Sequence, residues 1–163
     1  MKRVSFAFAL LGVAAIAGSL APSRAAAHCE VPCGIYDDPA RIAQLREDAA
    51  TIEKAIAGIN ELAGKTDAQS ANQLIRWVTT KDAHASLIEE TIAVYFLAQR
   101  VKPAEPGAAD YDAYLKRLAD HHKVLVAAMK TKQNADAKFV ADLRAAIDVI
   151  AKYYPPADGG AKK

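Results

Sequence analysis

The sequence predicts an all-α fold, an antiparallel four-helix bundle preceded by an irregular N-terminal hook. Three observations carry that expectation. Apolar residues recur at helical spacing in four stretches between Asp38 and Tyr154. No run of alternating β-branched residues competes with them. Glycine (8) and proline (7) are sparse, and Gly58 apart they fall at the ends of the stretches or outside them. With 52% hydrophobic and 25% charged residues the chain is globular in composition, not disordered.

Each helix has its own signals. Asp37-Asp38-Pro39 starts the first, with Asp38 suited to the N-cap and Pro39 to the first helical position. Ile42, Leu45, Ala49, Ile52, Ile56, Ile59 and Ala63 then step by three and four, a heptad seam, and Gly64 sits where a terminating glycine belongs. The second helical region runs from about 68 to 101, with Leu74, Val78, Ala85, Ile88, Ile92, Tyr95 and Phe96 as its stripe. Thr79-Thr80-Lys81-Asp82 is a place where it could kink or split. Pro103, Pro106 and Gly107 make a loop of 101–110. The third helix starts near Asp110 and carries Tyr114, Leu115, Leu118, Leu125 and Met129. The fourth starts near Asp136 and carries Phe139, Val140, Leu143, Ile147, Ile150 and Tyr154, with Pro155-Pro156 ending it. Short connections between four such helices imply antiparallel neighbours. The 163 residues make one domain, divided as leader (1–27), hook (28–36), bundle (37–156) and tail (157–163).

Residues 1–27 have the pattern of a cleaved secretory signal peptide. Lys2 and Arg3 give a cationic start, Val4 to Ala21 is apolar except for Ser5 and Ser19, and Pro22 precedes the small-residue run Ala25-Ala26-Ala27. The apolar run is short and rich in Ala and Gly for a membrane anchor. No Leu-x-x-Cys pattern precedes Cys29, which excludes a lipoprotein anchor. A cut between Ala27 and His28 sends a mature chain, without a membrane segment, to the periplasm or the exterior. The default path is the general secretory route, since Lys2-Arg3 is a poor twin-arginine motif.

The leader also distorts the charge balance. The 21 basic residues exceed the 19 acidic ones by two, but Lys2, Arg3 and Arg24 lie in the leader, which has no acid, so the remainder carries one net negative charge. A near-neutral body without a Lys/Arg run has no electrostatic footprint for nucleic acid.

Chemistry concentrates at the new chain end, His28-Cys29-Glu30-Val31-Pro32-Cys33-Gly34-Ile35-Tyr36. The freed amine of His28 and the backbone nitrogen of Cys29 close one five-membered chelate ring on a metal. That nitrogen and the Cys29 thiolate close a second. Pro32 and Gly34 permit a turn that returns the Cys33 thiolate to the fourth position, and the His28 imidazole reaches the axial side. A planar N2S2 set points to Ni(II) or Cu(II) and away from tetrahedral zinc. Amidate and thiolate donors stabilise the higher oxidation state, so a one-electron Ni(III)/Ni(II) couple comes within reach.

The motif at His28, Cys29, Pro32, Cys33, Gly34 and Tyr36 resembles the metal hook of the nickel-containing superoxide dismutases. Length, four helices and the Asp-Pro helix start extend the resemblance, more weakly, over the mature chain. It implies one nickel ion per subunit, held by the His28 amine and imidazole, the Cys29 amide and thiolate, and the Cys33 thiolate. It implies that Pro32 shapes the hook, that Tyr36 lines the substrate approach, and that backbone N–H groups of Glu30 and Cys33 face the open axial side. The substrate would be the superoxide anion and the assembly a homohexamer of bundles. Because the His28 amine is a ligand, nickel would enter after cleavage, outside the cytoplasm. The family supports the ligating imidazole with a Glu–Arg pair. An ungapped count puts Ala43 and His84 there, so His84 with Glu47 or Glu89 is the expected replacement.

The competing readings keep the same residues. Cys29 and Cys33 in an oxidising compartment could form a disulfide, giving a clamped structural module. An exported helical bundle could bind metal without turnover. His121 and His122 point about 100° apart on a helix and are expected at the surface or an interface. Trp77 and Tyr95 are expected to pack, and Tyr111, Tyr114, Tyr153 and Tyr154 to cap the bundle ends or fill subunit contacts.

Overall fold

Asp37, not Asp38, caps the first helix. The computed structural model describes residues 36–156, so the leader, hook residues 28–35 and the tail lie outside it. Helix α1 is Asp38–Leu62, and the Asp37 carboxylate accepts from the Ala40 amide at 3.1 Å. Asp37 has non-helical backbone angles, whereas Asp38 already sits in the helix. The expected cap is therefore displaced by one residue, and the Asp38 carboxylate is left to act elsewhere. At the other end Ala63 is followed by Gly64 at φ 82°, the left-handed stop that the sequence anticipated.

Helix α2, Ala68–Glu90, is capped by Asp67, whose carboxylate accepts from the Ser70 amide at 2.9 Å and the Ser70 hydroxyl at 2.6 Å. It runs without a break through 79–82. Lys81 is buried there, and its Nζ donates to the carbonyls of Thr131 and Lys132, each at 2.6 Å. These are last-turn carbonyls of helix α3, Tyr111–Gln133, which lack partners within their own helix. The polar stretch thus ties two helices instead of breaking one. Distortion comes later. Residues Thr91–Arg100 form a π-helix continuing α2, and the Val101 amide donates to the Phe96 carbonyl at 2.8 Å. The 101–110 segment is the expected loop. Helix α4, Ala137–Ala151, is capped by Asp136 through the Lys138 amide at 2.8 Å.

Cross-links set the directions. Asn60 donates to the Ala135 carbonyl while Arg46 pairs with Asp148, so α1 and α4 run antiparallel. Asp38 reaches Arg100, so α1 opposes α2 and its π-helical extension. Lys81 reaches Thr131 while Phe96 packs on His121, so α2 opposes α3. His121 meets Tyr154, and the short 134–136 link folds α4 back on α3. Adjacent helices pack in the order α1–α2–α3–α4–α1. This is the expected all-α, antiparallel four-helix bundle, with no strand among the described residues.

The core joins Ile42, Leu45, Ile52 and Ile56 of α1 to Ile88, Ile92 and Phe96, and these to Val140, Leu143, Ile147 and Ile150 of α4. Burying each such side chain stabilises the fold by about 1.5–3 kcal/mol before entropy is counted. A Cβ on Gly58 would lie 2.5 Å from Trp77 Nε1, so this glycine lets α1 and α2 close over the indole.

Helix α3 departs from expectation. Its inward face is Asp120, His121, Val124, Ala127, Ala128 and Thr131, while Leu115 and Met129 stay exposed at 42% and 41%. Val78 of α2 is likewise exposed. His121, expected at the surface or an interface, is instead fully buried within the bundle. Small residues let the helices approach closely, and every polar group on the inward face has an internal partner, so none is left uncompensated.

Candidate metal centre

The motif's last residue, Tyr36, is the first described one, and it is 36% exposed. Its ring meets Tyr95 edge-on with centroids 5.9 Å apart. The Arg100 guanidinium lies 4.4 Å from the Tyr36 centroid, within cation–π range. The three proposed metal-ligating residues, His28, Cys29 and Cys33, lie outside the described residues.

Beneath Tyr36 sits a clamp that the sequence did not announce. Asp38 Oδ1 accepts from Tyr95 Oη and from Arg100 Nε, both at 2.8 Å, and Asp38 Oδ2 accepts from Arg100 Nη2 at 2.6 Å. Two local features produce it. The cap shift frees Asp38 in the first turn of α1, and the π-helix brings Tyr95 and Arg100, five residues apart, onto one face. Burial, reinforced by the hydrogen bond to Asp38, pushes the Tyr95 phenol up to about 12. It therefore stays protonated as a donor. The hydrogen bond to Asp38 also raises Arg100, which keeps its charge. Arg41 lies 5.3 Å from the centre of the Tyr95 ring. Tyr95 is thus more than a packing residue: it is bonded into the support of Tyr36.

His84 has a different partner from either candidate. Its Nδ1 lies 2.8 Å from Asp48 Oδ1, with Asp48 buried between α1 and α2 and also accepting from Gln44. Glu89 instead pairs with Lys132, and Glu47 accepts through its backbone from Thr51. Asp48 falls beside the α1 seam and faces α2, whereas Glu47 and Glu89 lie on other faces. The expected pairing of His84 with Glu47 or Glu89 is corrected to His84 with Asp48.

Among the described residues no group of three or more His, Cys, Asp or Glu side chains could hold a metal ion. The donors suited to a thiophilic metal are Cys29 and Cys33, the chain's two cysteines, with His28 beside them. That set fits nickel by its chemistry: two thiol sulfurs, backbone nitrogen and an imidazole are the N and S donors that would suit it. A family model described as nickel-containing superoxide dismutase matches residues 23–157. Comparison with the curated proteins and with the solved structures gives no match.

Proposed function

The chain belongs to the nickel-containing superoxide dismutase family, and from that premise we propose how its own residues build and serve the site. The enzyme is an oxidoreductase that converts two superoxide anions and two protons into dioxygen and hydrogen peroxide, with nickel as its cofactor. When bound, nickel supplies a one-electron couple that alternates between oxidising one superoxide and reducing the next. The match over residues 23–157 is the observation that carries this function.

His28, Cys29 and Cys33 hold the ion, one per subunit. The His28 amine becomes a ligand only when the bond after Ala27 is cut, so processing and metal loading are one event in sequence. The signal-peptide pattern of residues 1–27 supports export to the periplasm or exterior, and loading follows export. Hook 28–36, bundle 37–156 and tail 157–163 are the working divisions of the mature chain.

Tyr36 lines the approach of the anion and offers its phenol to substrate or water. Asp38 orients that ring indirectly: it holds Arg100, and Arg100 stacks on Tyr36. Tyr95 supports the same ring edge-on while keeping its proton. Proton delivery to the reduced substrate draws on Tyr36, since Tyr95 is committed to Asp38.

Self-association as a homohexamer is part of the same reading. The outer side of α3 supports it, with exposed Leu115 and Met129 and a groove of about 540 Å³ whose lining includes Val126, Phe139 and Val149. Nickel analysis of the purified mature protein, together with stopped-flow superoxide decay, tests the function. One nickel per chain and dismutation lost on chelation are expected. Full activity without nickel would reject it.

A further inference from the structure

Tyr154 and His121 form a second aromatic centre, built from residues that the dismutase site does not use. His121 is fully buried. Its Nδ1 lies 2.7 Å from the Arg117 carbonyl, which can only accept, so Nδ1 carries the proton. Nε2 is therefore a bare acceptor, and Tyr154 Oη donates to it at 2.9 Å. Phe96 lies against both rings, with centroids 4.6 Å from Tyr154 and 5.7 Å from His121. Ring contacts continue from Phe96 to Tyr95 at 4.9 Å and from Tyr95 to Tyr36 at 5.9 Å.

We propose that Tyr154 and His121 are a redox-active pair in which Tyr154 is oxidised by one electron while its phenolic proton passes to His121 Nε2. The oxidant is an oxygen-centred radical, the class formed when a one-electron reductant such as a reduced transition-metal ion splits the hydrogen peroxide this enzyme produces. In the forward step the Tyr154 O–H bond breaks, the electron reduces the oxidant, and the proton forms an N–H bond on His121. The products are a neutral tyrosyl radical and an imidazolium. In the return step superoxide donates one electron to the tyrosyl oxygen and leaves as dioxygen, while the proton goes back from His121. Atoms and charge balance, and the reductant is the enzyme's own substrate.

The neighbouring tyrosines show why Tyr154 is singled out. Tyr153 Oη donates to Asp120 at 2.7 Å and Tyr95 Oη donates to Asp38 at 2.8 Å. Both acceptors are carboxylates already held by cations, Lys116 and Lys123 in one case and Arg100 in the other. The lysine and tyrosine donors hold the Asp120 carboxyl down to about 2, which makes it a weak proton acceptor. Burial disfavours the charged form of His121, so the resting ring is neutral, and its Nε2 lone pair already faces the Tyr154 hydroxyl. An oxidised phenol is a far stronger acid than an imidazolium, so transfer to that neutral ring is downhill. The contact chain of rings from Tyr154 through Phe96 and Tyr95 to Tyr36 gives an electron a route out of the bundle to an oxidant at Tyr36, so that the oxidising equivalent comes to rest on Tyr154 instead of on a thiolate. Thiolates are the groups oxygen radicals would otherwise damage irreversibly.

The experiment is freeze-quench electron paramagnetic resonance on the full mature chain, nickel-loaded and nickel-stripped, after oxidation by azide radicals from pulse radiolysis. A persistent tyrosyl signal is expected in both forms, lost in Tyr154→Phe and kept in Tyr153→Phe. Superoxide added after the pulse should quench it, and His121→Gln should lower its yield. An unchanged signal in Tyr154→Phe, or one lost only in Tyr153→Phe, would overturn the proposal. Should His121→Gln not fold, the two phenylalanine variants still decide. The nickel-stripped arm makes the outcome independent of whether the hook carries dismutation.

Discussion

Arg100 grips Asp38 with two nitrogens, Nε at 2.8 Å and Nη2 at 2.6 Å, across 62 residues of chain. The pair joins the first turn of α1 to the end of the π-helix, and Arg100 in turn lies over Tyr36. Asp38→Asn keeps the shape but removes the charge, leaving Arg100 and Tyr95 with a weaker acceptor. Loss of a charge-assisted pair at a partly buried site costs on the order of 1–3 kcal/mol. We expect lower stability in urea and slower superoxide decay at unchanged nickel content. Unchanged decay would mean the clamp does not position Tyr36.

Cys29→Ser and Cys33→Ser each remove a thiolate from the donor set. Both variants should lose nickel and dismutation together. The bundle should melt as before, because its core lies within residues 42–150. Nickel content beside far-ultraviolet circular dichroism checks this. One nickel per chain retained in either variant would refute the ligand assignment.

His121 makes stability depend on pH. Burial holds its folded value below 6.5, so the unfolded chain takes up a proton that the folded chain rejects. Under linkage, stability rises with pH where the unfolded state binds more protons, so it falls as pH drops below about 6.5. Stability should therefore be lower at pH 5 than at pH 7. His121→Phe should be less stable throughout but flatter over that range. Denaturant titrations of both proteins at the two pH values test it, and an equal drop in the variant would be contrary.

Gly58→Ala places a methyl carbon against the Trp77 indole, at distances of 2.5–2.8 Å before any shift. Separating α1 from α2 should cost about 1–3 kcal/mol, outweighing the gain in helix propensity of roughly 1 kcal/mol. A melting temperature equal to or above that of the parent would show that Trp77 moves aside freely.

Residues with strong periodicity made much of the fold legible. Ile42, Leu45, Ala49, Ile52 and Ile56 are buried as their spacing implied, and so are Val140, Leu143, Ile147 and Ile150. Helix α3 was harder. Large apolar side chains mark Leu115, Leu125 and Met129, yet close packing selects the small residues Ala127 and Ala128 and lets paired polar groups line the inside. The clamp at Tyr36 was hidden for another reason. Tyr95 and Arg100 converge through an i to i+5 register, and a 3.6-residue period does not put them together. Asp38 was given the capping role because its neighbour Asp37 is an equally good cap by residue type, so its carboxylate was not expected in the clamp. The candidate donors of the hook are the opposite case, since they are adjacent in sequence and no folding is needed to associate them.

The central claim is that the terminal nitrogen of His28 helps to hold nickel. Intact mass spectrometry of the native, nickel-loaded protein under non-denaturing conditions tests it most directly. A chain starting at His28 with one nickel ion bound is expected, and no nickel on any form retaining residues before it. A nickel-loaded, active chain that still carries Ala27 would contradict it.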